Sequence, residues 1–215
     1  MPKTLKIDVF TDVVCPWCLV GSVRLDKALA DLPADVTVEI ENHPFYLDPN
    51  TPEEGVVVAD MIRKKYGRDP KDMWARVEGE AAKAGVTLDL SRQPRMYPTA
   101  KAHTLARLAK PYGTQHALAN AIAEAYFVGH QQINDDTVLA DLGTRYGFDR
   151  DEAIRLINDP EELAITEQLA IDASQQGISG VPFFIFGNKF AMSGAQPQEI
   201  FAQALEQALA EAEPA

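Results

Sequence analysis

Cysteine is scarce in this chain: its 215 residues contain only two, and both stand in one motif, Cys15-Pro16-Trp17-Cys18. A framework of several disulfides is therefore excluded. A zinc site needs about three or four protein ligands, and the sequence has neither a second Cys-x-x-Cys nor a His-x(3–5)-His pair to complete one. We predict no bound metal. The histidines are His43, His103, His116 and His130.

Long apolar runs and an excess of positive charge are also missing. No run approaches the roughly 18 apolar residues that cross a bilayer. The net charge of −12 disfavours binding to nucleic acid or to an anionic membrane surface. Residues 1–4 lead into a strand-like segment without the charged and apolar regions of a secretory signal. We therefore expect a cytoplasmic protein that has neither nucleic acid nor a membrane as its partner.

The two cysteines stand where a strand gives way to a helix. Residues 5–10 alternate in character as in a strand, and residues 19–32 have helical spacing. The start of a helix has unpaired N–H groups and the positive end of the dipole, both of which favour an anion. We therefore predict that Cys15 is a reactive thiolate that attacks disulfides, and that Cys18, one turn further on, releases the partner. Pro16 suits the first helical position, because its missing N–H would have had no partner there.

A second strand and a long helical region follow. Residues 36–40 alternate again, and strand, helix and strand within about 40 residues predict two parallel strands with a right-handed crossover. Residues 42–52 are interrupted by prolines and predict an irregular chain. From residue 52 to 176 the apolar spacing predicts a run of helices. Their predicted limits are 59–66, 71–84, 99–110, 115–128, 136–146, 150–157 and 161–176.

Strand character returns near the end of the chain. Residues 181–186 and 189–192 are separated by Gly187-Asn188, a tight-turn pair, and predict a β-hairpin. Residues 198–212 predict a final amphipathic helix. The order of elements is therefore β-α-β, a helical insert and β-β-α, which is an α/β fold. We predict two parts: residues 1–50 together with 177–215, and an inserted all-helical domain of residues 51–176.

Motifs from both ends of the chain carry a family resemblance. They are Phe10-Thr11-Asp12-Val13-Val14-Cys15-Pro16-Trp17-Cys18-Leu19-Val20-Gly21, Pro44-Phe45 with Leu47 and Pro49, Ala125-Tyr126-Phe127, Gly177-Ile178-Ser179-Gly180-Val181-Pro182-Phe183-Phe184, and Ser193-Gly194-Ala195-Gln196-Pro197. With this frame, the chain resembles the thioredoxin fold with a helical insertion, and in particular the cytoplasmic FrnE-like branch of the DsbA family. One departure is His43, at a position where this branch commonly has arginine.

The resemblance implies a substrate groove beside the cysteines. It implies that the Val181–Pro182 peptide bond is cis and faces the cysteines. The backbone of Val181 then pairs with an extended substrate segment, and Pro182 offers neither an N–H nor much bulk to compete with Cys15. The redox group is the pair of Cys15 and Cys18 itself, with no further cofactor. The implied partners are proteins with thiols or disulfides, or small thiols such as glutathione.

Several residues near the motif have two interpretations each. Asp12 either takes a proton from Cys18 or repels a thiolate, whereas a role as a turn or cap residue is the simpler interpretation. Trp17 is either an apolar contact for the substrate or a core residue. We expect His43 and His103 to be structural or surface side chains, with His103 the first of them to consider for a role in the site.

We predict a thiol-disulfide oxidoreductase, and two other classes stay open. Kappa-type glutathione transferases and 2-hydroxychromene-2-carboxylate isomerases share this frame, but they have serine where this chain has Cys15. Such relatives hold glutathione at the segment that corresponds to residues 193–196, so Ser193 and Gln196 are candidate glutathione contacts. The third class is a holdase without catalytic activity that uses the groove between the domains. The sequence leaves open whether the protein is a monomer or a homodimer.

Overall fold

The computed structural model describes residues 3–211. Its strands are β1 (Lys3–Thr11), β2 (Val36–Pro44), β3 (Val56–Val57), β4 (Arg95–Met96), β5 (Phe183–Phe186) and β6 (Phe190–Ser193). Its α-helices are α1 (Pro16–Ala30), α2 (Val58–Tyr66), α3 (Pro70–Lys83), α4 (Ala100–Leu108), α5 (Gln115–Phe127), α6 (Asp136–Gly143), α7 (Arg150–Ile157), α8 (Pro160–Gln175) and α9 (Gln198–Glu211). The predicted end of the last helix, Ala212, lies outside the described residues, as do the predicted outer limits of the first part, residues 1 and 215.

The main sheet has the strand order β2-β1-β5-β6. β1 is parallel to β2 and antiparallel to β5, and β6 is antiparallel to β5. These pairings confirm the predicted β-α-β and β-β-α units, and they place the strand that leads into the cysteine motif inside the sheet. Buried side chains of β1, α1, β5 and α9 form a core against the sheet. They include Leu5, Ile7, Val9, Leu25, Phe184, Phe186, Phe201 and Leu205.

β2 is longer than the sequence predicts. We expected an irregular chain from residue 42, but the strand continues to Pro44, which pairs with Thr11. β2 lies at the edge of the sheet, and an edge strand tolerates proline, because no ladder hydrogen bond is lost on its outer side. The segment predicted to be helical also contains β3 and β4, which pair with each other. At two residues each, they are too short to produce a periodic pattern.

A second buried core fills the region formed by the helices between β2 and β5. It includes Leu105 of α4 and Ile122 and Tyr126 of α5, together with Val14 and Leu19 on either side of the cysteine motif. The start of α1 therefore packs against the helical region, while its later turns pack on the sheet core. The cysteine motif lies between these two cores. The division of the chain into two domains stays a prediction.

Side-chain caps and glycines set the limits of the helices. Asp69, Asp135, Asp149 and Asp159 each accept a hydrogen bond from a backbone N–H in the first turn of the helix that follows. At the C-terminal end of α2, Gly67 has a φ of 62°, a conformation that glycine adopts without steric cost. Within residues 3–211, no helix combines the length and the apolar character that crossing a bilayer requires.

Candidate active site

The cysteine motif forms the first turn of α1. Cys15 is the N-cap residue with an extended backbone, and Pro16 is the first helical residue, as the sequence predicts. The Cys18 N–H donates to the Cys15 carbonyl at 2.9 Å. Both cysteines are free thiols and both are buried, with 5% of Cys15 and 3% of Cys18 exposed.

The loop before β5 lies against this turn. The peptide bond between Val181 and Pro182 is cis, as the resemblance implies, and the Val181 carbonyl oxygen lies 3.8 Å from the Cys15 sulfur. Pro182 packs so closely on α1 that a Cβ at Gly21 would lie 3.0 Å from its Cγ. The Gly194 N–H donates to the Pro182 carbonyl at 2.8 Å, which ties the loop to the end of β6.

Cys18 holds its proton more tightly than an ordinary thiol. Burial raises the pKa of Cys18 well above its usual range, and the hydrogen bond and charge of Cys15 raise it further. A hydrogen bond from the backbone of Asp12 acts in the opposite direction, and the charge of Asp12 adds a smaller increase. The reduced site therefore keeps Cys18 as a neutral thiol at physiological pH.

The Asp12 carboxylate is buried beside the cysteine motif. It is 1% exposed; one oxygen lies 3.2 Å from His103 Nε2, and the other accepts the Leu47 N–H at 2.9 Å. The Asp12 carbonyl accepts the Cys15 N–H at 3.0 Å, so Asp12 also shapes the turn, as the simpler interpretation holds. The structure thus brings together Asp12 and His103, two candidates that are 91 residues apart in the sequence. Their chemical role stays a prediction.

Two tyrosines surround this carboxylate. Burial raises the pKa of Tyr46 and of Tyr126 far above the usual range, and the charge of Asp12 raises both further. The ring of Tyr46 lies against the His103 imidazole, with 5.7 Å between the centroids. Both tyrosines therefore stay neutral, and the hydrogen-bond partners of the Asp12 carboxylate are His103 and the Leu47 N–H. Tyr126 belongs to the quoted Ala125-Tyr126-Phe127 motif, which was the only sequence signal for it.

A cavity of about 580 Å³ opens beside Cys15. Its walls come from the start of α1, from α2 and α3, from the end of α5 and from the loops before α2 and β5. Eight of the twenty lining residues are aromatic or methionine, and these include Trp17, Met61, Met73, Trp74, Met96 and Phe127. Both Cys15 and Val181 line it. Sequence reasoning missed the α2 and α3 residues, because only the tertiary fold brings them next to the cysteines.

Trp17 lies between the helical core and the cavity, and its contact with a substrate stays a prediction. It is half-buried and packs against the helical core, and it also lines the cavity. The Arg76 guanidinium lies over its ring, 5.6 Å from the centroid, which is within the range of a cation–π contact. One part of the indole is therefore fixed by α3, and the other faces the space next to Cys15.

His43 lies on β2, where its Nε2 is 2.7 Å from Asp8 Oδ1 and its ring stacks on Phe10 at 4.5 Å. His43, Asp8 and Glu41 could bring ligand atoms within 4.8 Å of one another. Lys6, which is 3.1 Å from Asp8 and 3.4 Å from Glu41, supplies a counter-charge to both carboxylates. His43, Asp8, Glu41 and Lys6 thus form one cluster of hydrogen bonds and ion pairs, and the role of His43 stays a prediction.

Ser193 ends β6, and Gln196 lies on the loop that follows it, which is bound to α1. The Gln196 side chain donates to the Ser193 carbonyl at 2.8 Å. Arg24 of α1 donates to the carbonyls of Ala195 at 2.7 Å and Gln196 at 3.3 Å, and its other nitrogen lies 2.6 Å from a Glu80 carboxylate oxygen. Sequence reasoning missed Arg24; the signal was a basic residue between two apolar residues, Val23 and Leu25, of the first predicted helix.

Comparisons with known proteins agree with this geometry. The model of a family described as the DSBA-like thioredoxin domain matches residues 6–206. The uncharacterized protein YwbO of Bacillus subtilis is 28% identical over 205 residues, which cover 94% of this chain and 96% of that protein. A crystal structure of a probable DsbA oxidoreductase from Streptomyces coelicolor superposes with a TM-score of 0.87 at 34% identity, covering 98% of this chain and 92% of that one.

The fold is also shared with an isomerase. A structure of 2-hydroxychromene-2-carboxylate isomerase superposes with a TM-score of 0.71 at 15% identity, covering 94% of this chain and 95% of that one. At this level of identity the similarity concerns the fold alone. The choice between exchange chemistry and isomerase chemistry therefore rests on the residues of this site.

Proposed function

The chain belongs to the DSBA-like thioredoxin domain family, and on this premise we propose that it is a thiol-disulfide oxidoreductase with Cys15 as the attacking thiol and Cys18 as the resolving thiol. The observation that carries the proposal is the asymmetry of the pair. Cys15 lines the cavity, whereas Cys18 is the more buried of the two and has a raised pKa. A substrate disulfide therefore meets Cys15 first.

The reaction proceeds in two exchanges. The Cys15 thiolate attacks one sulfur of a substrate disulfide, forms a mixed disulfide and expels the other sulfur as a thiolate. Cys18 then loses its proton and attacks the Cys15 sulfur, which gives the Cys15–Cys18 disulfide and releases the second thiol. The substrate gains two electrons, and the protein loses them. The reverse sequence oxidises a dithiol substrate.

In this proposal, the loop before β5 orients the substrate sulfur toward Cys15. Val181 is half-buried, its carbonyl lies near the Cys15 sulfur, and it shares the cavity with Trp17. The Val181 backbone and the Trp17 ring thus contact the group that carries the substrate sulfur, and Pro182 closes the site without an N–H of its own. Protein disulfides, small thiols and glutathione are the candidate partners. We place the reaction in the cytoplasm, where a vicinal pair is more often catalytic than structural.

The transferase and isomerase interpretation is weakened by the second cysteine. A group that only binds or polarises a sulfur needs no resolving thiol, whereas exchange requires one to expel the partner. The chain uses both of its cysteines for this pair. The segment of residues 193–196, where related transferases hold glutathione, is bound to Arg24 through two of its carbonyls. The N–H groups of Gly194 and Gln196 and the Gln196 side chain also have partners within the protein.

Single-cysteine variants test the proposal. Reduced wild type, Cys15→Ser and Cys18→Ser are each mixed with hydroxyethyl disulfide, and the products are identified by mass spectrometry. We expect wild type to form the internal disulfide, Cys18→Ser to accumulate a mixed disulfide on Cys15, and Cys15→Ser to react slowly, because its remaining thiol is buried and protonated. A Cys15→Ser protein that exchanges as fast as wild type would refute the assignment of roles.

A second measurement separates the enzyme classes. Wild type and Cys18→Ser are assayed with glutathione and an electrophile such as an aryl halide. The transferase interpretation is favoured if Cys18→Ser keeps full conjugating activity and wild type does not react with disulfides. A protein without either activity that suppresses the aggregation of an unfolded client would instead support the holdase interpretation.

A further inference from the structure

The cavity beside Cys15 indicates which substrates reach the sulfur. Only 5% of Cys15 is exposed, and the residue lines the cavity formed between α1, α2, α3 and α5. Cys15 also packs against the Val181 carbonyl on the side of the loop before β5. Access to the sulfur is therefore through the cavity, and a substrate has to enter it in order to react.

The cavity has the size and the lining of a site for a small apolar molecule. Its volume of about 580 Å³ lies within the range of about 300–1,000 Å³ that is typical of small-molecule sites. Aromatic and methionine side chains from four helices form the walls, and methionines adapt well to ligands of irregular shape. These walls provide dispersion contacts on several sides of a ligand instead of one flat surface.

The few polar groups of the cavity leave little to bind a charged ligand. The Gln93 amide donates to the Tyr126 carbonyl at 3.0 Å. Lys65 and Asp48 are the charged residues of the lining, and both are exposed residues of opposite sign. The other lining residues carry no charge, so burying the carboxylates and the ammonium group of glutathione among them would cost free energy. The cavity therefore favours a neutral ligand.

We propose that the substrate of the Cys15–Cys18 pair is a small organic disulfide, or the corresponding thiol, with a neutral aromatic body that fills this cavity. The inference rests on the proposed exchange function and specifies its substrate class. Cys15 attacks one sulfur of the disulfide and forms a mixed disulfide while the first organic thiol leaves. Cys18 attacks the Cys15 sulfur, and the second organic thiol leaves. The two electrons come from the protein dithiol, which a small dithiol such as dithiothreitol restores.

Two disulfides with thiols of similar acidity isolate the contribution of the cavity. Dibenzyl disulfide carries two neutral aromatic rings, and hydroxyethyl disulfide carries two small polar groups. Wild-type kcat/KM is measured for each disulfide with dithiothreitol as the reductant. Each value is then divided by the second-order rate constant for the reaction of dithiothreitol with that disulfide in the absence of protein. We expect a preference of about tenfold for dibenzyl disulfide, equivalent to about 1.4 kcal/mol. Oxidised glutathione and insulin are measured in the same way, and we expect both to react less well than dibenzyl disulfide.

Substitutions in the cavity wall connect this preference to the structure. Met61→Gln and Met73→Gln keep the side-chain length but introduce an amide on the wall. Met192→Gln is the matched control, because Met192 is half-buried on β6 and packs on the sheet core. We expect each wall variant to raise the KM for dibenzyl disulfide about threefold to tenfold and to change the KM for hydroxyethyl disulfide by a smaller factor. The control variant should change neither.

The outcomes separate this inference from the proposed function. A wild type that reduces hydroxyethyl disulfide, oxidised glutathione or insulin at least as well as dibenzyl disulfide overturns the cavity inference and leaves the exchange function intact. Equal effects of the wall variants and the control variant overturn it as well. A wild type that is no faster than Cys15→Ser with every disulfide refutes the exchange function itself.

Discussion

Replacing Asp12 with asparagine should speed up the step in which Cys18 releases the substrate. The substitution is nearly isosteric: the amide oxygen still accepts the Leu47 N–H, and the amide N–H₂ faces His103, whose ring nitrogen accepts in the appropriate tautomer. What changes is the charge of a carboxylate that is 1% exposed. That charge contributes to the raised pKa of Cys18.

The magnitude follows from Coulomb's law. At an effective dielectric constant of about 20, two unit charges interact by 1.36 kcal/mol, or one pKa unit, at a separation of roughly 12 Å. The backbone of Asp12 is hydrogen-bonded to the Cys18 sulfur, so its carboxylate is well inside that distance. We expect the pKa of Cys18 to fall when this charge is removed. An interaction of about 1.4 kcal/mol corresponds to a tenfold larger thiolate fraction, and the lower nucleophilicity of a more acidic thiol reduces this to a net gain of about threefold at neutral pH.

The assay follows the two exchanges separately. Reduced protein is mixed in a stopped-flow instrument with 4,4′-dithiodipyridine, whose two thiopyridone products absorb light, and the second phase reports the attack by Cys18. We expect the pH midpoint of this phase to lie lower in Asp12→Asn than in wild type. The matched control is Asp26→Asn, since the Asp26 side chain is 44% exposed and binds His116. A slower second phase with an unchanged midpoint would refute this reasoning and would indicate that Asp12 accepts the proton of Cys18.

Two further predictions concern the packing and the pH dependence of the fold. Gly21→Ala should lower the free energy of unfolding by about 1–2 kcal/mol in a denaturant titration and should slow disulfide exchange. The reason is that the new Cβ would lie 3.0 Å from Pro182, and this overpacking outweighs the gain in helix propensity. A more stable, fully active variant would contradict this prediction. Hydrogen bonds from Lys83 and then Arg24 lower the pKa of Glu80 to about 2. The stabilisation of the fold by these bonds is therefore complete above the usual glutamate pKa, and it is lost as the pH falls through the lowered pKa of about 2. The Tm deficit of Glu80→Gln should thus be present at about pH 6 and vanish near about pH 2, whereas an equal deficit at both pH values would rule out this linkage.

Local signals in the sequence were sufficient for the elements around the cysteines. The strand before Cys15, proline at the first helical position and the Gly187-Asn188 turn each follow from short-range preferences. The resemblance added the cis peptide before Pro182, which no local rule specifies. The family model and the similarity to a probable DsbA oxidoreductase confirm the fold class and the family that the sequence indicated.

Features that depend on distant parts of the chain were not predictable in this way. The contact between Asp12 and His103 joins a turn of the sheet region to α4, and no sequence motif connects the two residues. The cavity likewise needs α2 and α3 to lie against the start of α1, which apolar spacing alone does not specify. The extension of β2 to Pro44 depended on its edge position, a property of the sheet order and not of the strand itself.

The distance along the chain between Cys15 and Val181 has a consequence during synthesis. The two residues are 166 positions apart, and β5, which pairs with β1, follows Val181 directly. At about 5–20 residues per second, a ribosome needs roughly ten to thirty seconds to add this length. Throughout that time the nascent chain carries both cysteines without the loop and strand that later cover them. The newly made protein is therefore more open to chance oxidation and to wrong partners than the finished one, and its selectivity begins only when the last part of the chain is in place.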